Sequence, residues 1–207
     1  MDIDNTLAGI ERTIEAVVGA ESADGRVADV IREAAAKKGD AVDDAEVARG
    51  VDFVVRYVRA VPPLLREALA TSHGTFAEAK MSRMVAAAMA YWDADDDVIH
   101  DDQGLLGILD DAYCTVSLLL ALSARFEAET GKRLVTANLA GPTKVAKGLL
   151  GDPIAAKLDD YVEEALADAS VAELLDSLKE QPLPPPPAHS SWQGDDDDLI
   201  LKLFGVL

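Results

Sequence analysis

The chemistry this sequence can offer is concentrated in one stretch, Tyr91 to Ala112, which reads YWDADDDVIHDDQGLLGILDDA. It holds eight aspartates and no Lys or Arg. Carboxylates ligate hard cations, so three or four that converge form a site for Mg²⁺, Mn²⁺ or Ca²⁺. Asp97 and Asp101 are four apart and share a face if the chain is helical there. Asp110 and Asp111 come near them if the Gly104–Gly107 segment turns the chain. The expected metal set is therefore Asp97, Asp101, Asp110 and Asp111. It is not a calcium-loop signature, because the alternating oxygens, central Gly and closing Glu are not in place. The competing reading is structural. Asp110 or Asp111 then caps the following helix, and Asp97 and Asp101 pair with Lys80 or Arg83.

Other chemical candidates are sparse. Of the three histidines, only His100 lies among the aspartates, where pairing with a carboxylate explains it. The single Cys114 sits in an apolar run and reads as a small core residue. Zinc-hydrolase, thiol-redox, nucleophile-elbow and dinucleotide motifs are all missing. AGPTKVAKG (140–148) has the look of a phosphate loop but lacks the Gly-Lys-Ser/Thr ending and a preceding strand. No catalytic residue is assigned.

The elements that carry these residues read as helices. Apolar spacings of three and four mark residues 3–18, 27–38, 44–58, 76–91 and about 105–128. Asp43 or Asp44 can cap the third helix. Pro62 and Pro63 end it and open a short helix over Leu64–Leu69. TSHG (71–74) is a turn. Residues 133–150 are less regular: Gly141 and Pro142 interrupt them, and Thr143 can cap a short helix. A helix follows Pro153, and Ser170 with Glu173 forms a capping box for one more. No strand alternation is found. The fold class is all-α, an irregular multi-helix bundle of about eight or nine helices.

Composition agrees. The chain has 207 residues, enough for one sizeable core. It is 49% apolar with only 5% aromatics, which suits closely packed helices rather than a sheet. The net charge is −19, from 19 basic and 38 acidic residues. That balance excludes nucleic acid as a partner and disfavours an anionic membrane. The N-terminal MDIDNTLAGIE has acids where a signal peptide needs bases, and the weakly polar run 112–124 is shorter than a bilayer span. A lone cysteine fits a reducing compartment. The expected location is the cytoplasm.

At residue 181 the composition changes. The expected domains are a helical body (1–180), a flexible Pro-rich linker (181–194) and an acidic-then-apolar tail (195–207). Pro182–Pro187 can extend about 19 Å as polyproline II. Four aspartates follow, then LILKLFGVL, in which seven of nine residues are apolar. As a helix, Leu199, Ile200, Leu203, Phe204 and Leu207 share a face. As a strand, Leu199, Leu201 and Leu203 do. Such a peptide suits a groove or sheet edge of a partner protein; alternatively it folds back on its own body.

The 91–112 stretch resembles the YkvA-like family, a bacterial domain of unknown function. That family's core reads roughly Tyr-x-x-Ser-Pro-x-Asp-x-Ile-Pro-Asp and then Gly-Tyr-Leu-Asp-Asp-Ala. Tyr91, Asp97, Ile99, Asp101, Gly107, Leu109, Asp110, Asp111 and Ala112 match it without a gap. Asp95 and His100 stand where the family usually has proline, and Asp93, Asp96 and Asp102 where apolar residues are common. The resemblance implies a compact helical domain, and these substitutions imply a soluble variant. It assigns no catalytic residue. Three functions follow as expectations: an interaction or adaptor protein that docks through its tail, a divalent-metal-binding protein or enzyme using the aspartates, or a structural homo-oligomer subunit with the tail exchanged between protomers.

Overall fold

In a computed structural model, residues 3–20, 25–92, 99, 101–179 and 198–206 are described. The chain is all-α, with no strand among these residues. In order the helices are α1 (Ile3–Ala20), α2 (Arg26–Lys38), α3 (Asp44–Arg59), α4 (Val61–Ser72) and α5 (Glu78–Tyr91). A short 3-10 helix (Asp101–Leu106) precedes α6 (Leu109–Thr130). Then come α7 (Ala140–Leu150), α8 (Asp152–Ala167), α9 (Ala169–Lys179) and α10 (Asp198–Leu203).

The apolar faces read from sequence are the buried ones. Leu7, Ile10 and Ile14 of α1 and Val47, Val51, Val54 and Val58 of α3 lie in the core. At the third helix, Asp43 is the cap. Its side chain accepts from the Glu46 N–H at 2.8 Å, and Glu46 returns a bond to the Asp43 N–H at 2.9 Å. That reciprocal box satisfies two amides left over at a helix start. Pro62 and Pro63 sit in the first turn of α4, where a missing N–H costs nothing.

The centre of the bundle is α6. Its contacts with α3, α4, α5, α7 and α8 bury twelve of its residues, from Leu109 to Phe126. The stretch Gln103–Thr130 is long and apolar enough to cross a membrane: its most apolar 18 residues have a mean hydropathy of 1.7, and 78% of that window is buried inside the fold. A span-like composition is also what a helix surrounded by others requires. The apolar stretch is longer than the 112–124 run at both ends, taking in part of the 3-10 segment before it and the last turns of α6 after it.

Several expected boundaries move, each for a local reason. Thr143 is not a cap: α7 already begins at Ala140, with Pro142 in its first turn, so Gly141 and Pro142 belong to the helix. Ser170 and Glu173 do not form a box either; Asp168 accepts from the Ser170 N–H at 2.7 Å and starts α9 instead. Thr71 and Ser72 continue α4, and the turn falls after them at Gly74. Residues 131–139 carry no helix or strand. This segment is tied down by a buried carboxylate: Glu67 Oε1 accepts from both the N–H and the hydroxyl of Thr136 at 2.6 Å. Thr71 and Ser123 hold Leu134 from the two sides, at 3.1 Å each.

Candidate functional site

The tail is a helix, and it is seated on the chain's own body. Gly205 decides between helix and strand. With φ of 70° it takes the left-handed conformation that stops a helix. Its N–H bonds to the Lys202 carbonyl at 3.2 Å, and the Val206 N–H reaches the Leu201 carbonyl at 2.8 Å. This pair of bonds, with an apolar residue on each side of the turn, is a Schellman stop.

The seat lies between α2, α3 and α7, the three helices that α10 touches most. Ile200 and Leu203 are buried, and Leu201, Phe204 and Val206 are half-buried against the core. The Lys38 ammonium, at the end of α2, donates to the Lys202 carbonyl at 3.0 Å.

Three glycines open the seat. A Cβ at Gly50 of α3 would lie 3.0 Å from Ile200 Cδ1 and 2.6 Å from Ile31 Cδ1. One at Gly141 would stand 3.3 Å from Val206 Cγ1 and 4.0 Å from Leu201 Cδ2. At Gly148 it would run into the Phe204 ring, whose atoms are its three nearest neighbours. Gly141 and Gly148 are seven apart, which puts them two turns along one face of α7. A helical glycine costs roughly 0.5–1 kcal/mol relative to Ala. Here the missing side chains make room for the peptide.

What fixes α7 therefore fixes the seat. The buried Tyr57 of α3 donates its hydroxyl to Thr143 Oγ1 at 3.3 Å, and burial pushes its pKa up. On the far side, Asp159 of α8 joins two neighbours. Tyr113 of α6 donates to Oδ1 at 2.6 Å, and the Lys147 ammonium of α7 reaches Oδ2 at 2.6 Å. Burial works to raise the Asp159 pKa. The bonds from Lys147 and Tyr113 outweigh it and hold the carboxyl below its ordinary value. Burial, then the bond to this carboxylate, drives the Tyr113 pKa up.

The expected partner-binding residues divide accordingly. Ile200, Leu203 and Phe204 are brought together in the seat, Leu199 lies on α10, and Leu207 falls outside the described residues. Leu201, Val206, Lys38 and the three glycines were missed. Two signals were available: the Leu201–Gly205–Val206 stop pattern, and the seven-residue spacing of glycines in AGPTKVAKG. That segment, set aside as a phosphate loop, is the floor of a peptide groove.

The aspartates have a different setting. Asp97 and His100 lie outside the described residues, and Asp101 belongs to the 3-10 helix. Asp110 and Asp111 are buried in the first turn of α6, at 0% and 1% exposure. A helix N-terminus favours carboxylates there. Gly104, with φ of 66°, does turn the chain. Asp110 Oδ2 accepts from the Ile99 N–H at 3.1 Å, which ties the segment before the turn to α6. Neither aspartate is the cap residue, which is Ile108. Lys80 is engaged elsewhere, with the Ser177 hydroxyl at 2.8 Å and the Glu173 carbonyl at 3.1 Å on α9. Among the described residues no group of three His, Cys, Asp or Glu is gathered as for a metal ion.

Cys114 is buried and borders an apolar recess of about 130 Å³ between α5, α6 and α8, lined without a charged group. Comparisons with protein-family models, with curated proteins and with solved structures give no match for this chain.

Proposed function

We propose that this chain is an interaction protein whose C-terminal peptide is the interacting element, held in its own groove until a partner takes it. The observation that carries this reading is the pairing of a preformed helical peptide with a glycine-cut seat. The peptide presents Ile200, Leu203 and Phe204 on one side. It is joined to the body by the Pro-rich sequence 181–194, long enough to let it leave. Helix-in-groove recognition uses this kind of short apolar face. The net charge of −19 directs the choice of partner toward a protein surface that is basic around an apolar cleft. The likeness of Tyr91–Ala112 to YkvA-like domains supports a compact helical body and assigns no partner. The lone buried Cys114 fits work in the cytoplasm.

The test is capture from native-host lysate by three forms: the full chain, a chain ending at Glu180, and Gly148→Leu, which fills the Phe204 position and displaces the tail. A protein bound by the full chain, enriched on Gly148→Leu and lost on truncation is the expected result. The same proteins on all three forms would sink the reading.

A further inference from the structure

The groove is a receptor as well as a resting place. We propose that the α2/α3/α7 seat binds the C-terminal peptide of a second copy of this chain, so that copies exchange tails. This goes beyond the reading above, because it concerns the groove and stands whether or not another protein ever takes the tail.

The seat is cut for this peptide: Gly148 for the Phe204 ring, Gly141 for Leu201 and Val206, Gly50 for Ile200, and Lys38 for the Lys202 carbonyl. A second copy carries the same peptide, so every one of these contacts can form between chains. Nothing new has to be recognised. Residues 180–197 separate α9 from α10, and eighteen residues can reach at most about 60 Å. A linker of this length gives its own tail an effective concentration on the order of millimolar. The tail therefore sits at home in dilute protein. It is exchanged where chains are crowded to similar levels, or where the home contact is lost in one copy and the tail is lost in the other. The stop at Gly205 is made from bonds within the peptide, so it travels with the peptide to a second copy.

The experiment mixes two complementary full-length variants. Leu203→Asp spoils the peptide and leaves the groove empty; Gly148→Leu fills the groove and leaves the peptide free. Each alone, at about 0.5 mM, is expected to sediment as a monomer. Their equimolar mixture is expected to form a one-to-one dimer, with the mass roughly doubled. Circular dichroism and urea melting establish that each variant is folded. Should Gly148→Leu not fold, the synthetic peptide 195–207 takes its place, titrated onto the Leu203→Asp chain. Saturable binding at one site, abolished by Phe204→Asp in the peptide, supports the proposal. A mixture that stays monomeric at this concentration, or a peptide that does not bind the emptied groove, overturns it.

Discussion

The Gly148–Phe204 contact makes a prediction whose sign reverses with context. Gly148→Ala adds one methyl group to a helix, and in an exposed helix this stabilises by roughly 0.5–1 kcal/mol. Here the methyl group runs into the Phe204 ring. Overpacking of this kind costs about 1–3 kcal/mol, so the ring is driven from its seat and the tail loosens. In a Phe204→Ala background the obstacle is gone, and the same substitution should become stabilising by its propensity alone. The coupling between the two sites is then about 1–3 kcal/mol, well above the few tenths expected of independent positions. Amide hydrogen exchange reads it directly. The Phe204 and Val206 N–H groups are bonded to the Ile200 and Leu201 carbonyls, and their protection should fall roughly 5- to 150-fold in Gly148→Ala. Urea melting of the four proteins closes the cycle. Unchanged protection at 204–206, or a Gly148→Ala effect of the same size and sign in both backgrounds, would refute the glycine-seat reasoning.

Other outcomes follow from the same geometry. Asp43→Ala removes the box at the start of α3 and should cost about 1 kcal/mol, a Tm drop of roughly 2–4 °C for a chain of this size. Glu67→Leu deprives the Thr136 N–H and hydroxyl of their acceptor and should cost about 1–3 kcal/mol in urea melting, whereas Glu67→Gln keeps an acceptor oxygen and should cost less. For Asp159 the folded pKa lies below the ordinary 3.8. Its bonds therefore stabilise the protein above that value, and the contribution is lost as pH falls through the lower folded pKa. Asp159→Asn should flatten the dependence of the urea midpoint on pH below about 4; an unchanged acid limb would show that the carboxylate is not the group responsible. At the aspartate turn, melting temperatures should be the same with and without Mg²⁺, Mn²⁺ or Ca²⁺. A rise with any of them would make the cluster an ion site.

Much of the body was legible because its periodicity is simple. Val47, Val51, Val54 and Val58 repeat at three and four, and they are the residues that α3 buries. Asp43 announced a helix start through its own chemistry, as Pro62 and Pro63 did for α4. Where reading went astray, a neighbour won. Pro142 looked like a break, yet a first turn has N–H groups to spare, and α7 absorbs it. Ser170 looked like a cap, yet Asp168 two residues earlier takes its amide. Tail and groove were legible only in halves. The apolar face of LILKLFGVL was plain, as was its choice between helix and strand, which Gly205 settles. The groove was hidden, because it is formed by Gly50, Gly141 and Gly148 on helices far apart in sequence, and a residue without a side chain shows no pattern of its own. The buried state of Asp110 and Asp111 was equally out of reach, since eight aspartates in 22 residues look like a solvated surface.

The order of groove and tail along the chain has a consequence in time. Lys38 and Lys202, bonded in the finished fold, are 164 residues apart. All three helices of the seat are translated by Leu150, while the peptide that fills it is made only after residues 151–197. At about 5–20 residues per second, the stretch from 151 to 207 takes on the order of several seconds to synthesise. Late in that interval, once α7 has left the ribosome, a nascent body can have its groove formed and nothing yet to put in it. On a crowded polysome the first peptide to arrive can come from a neighbouring, completed chain. Which copies end up joined would then be settled during translation, before any of them reaches equilibrium.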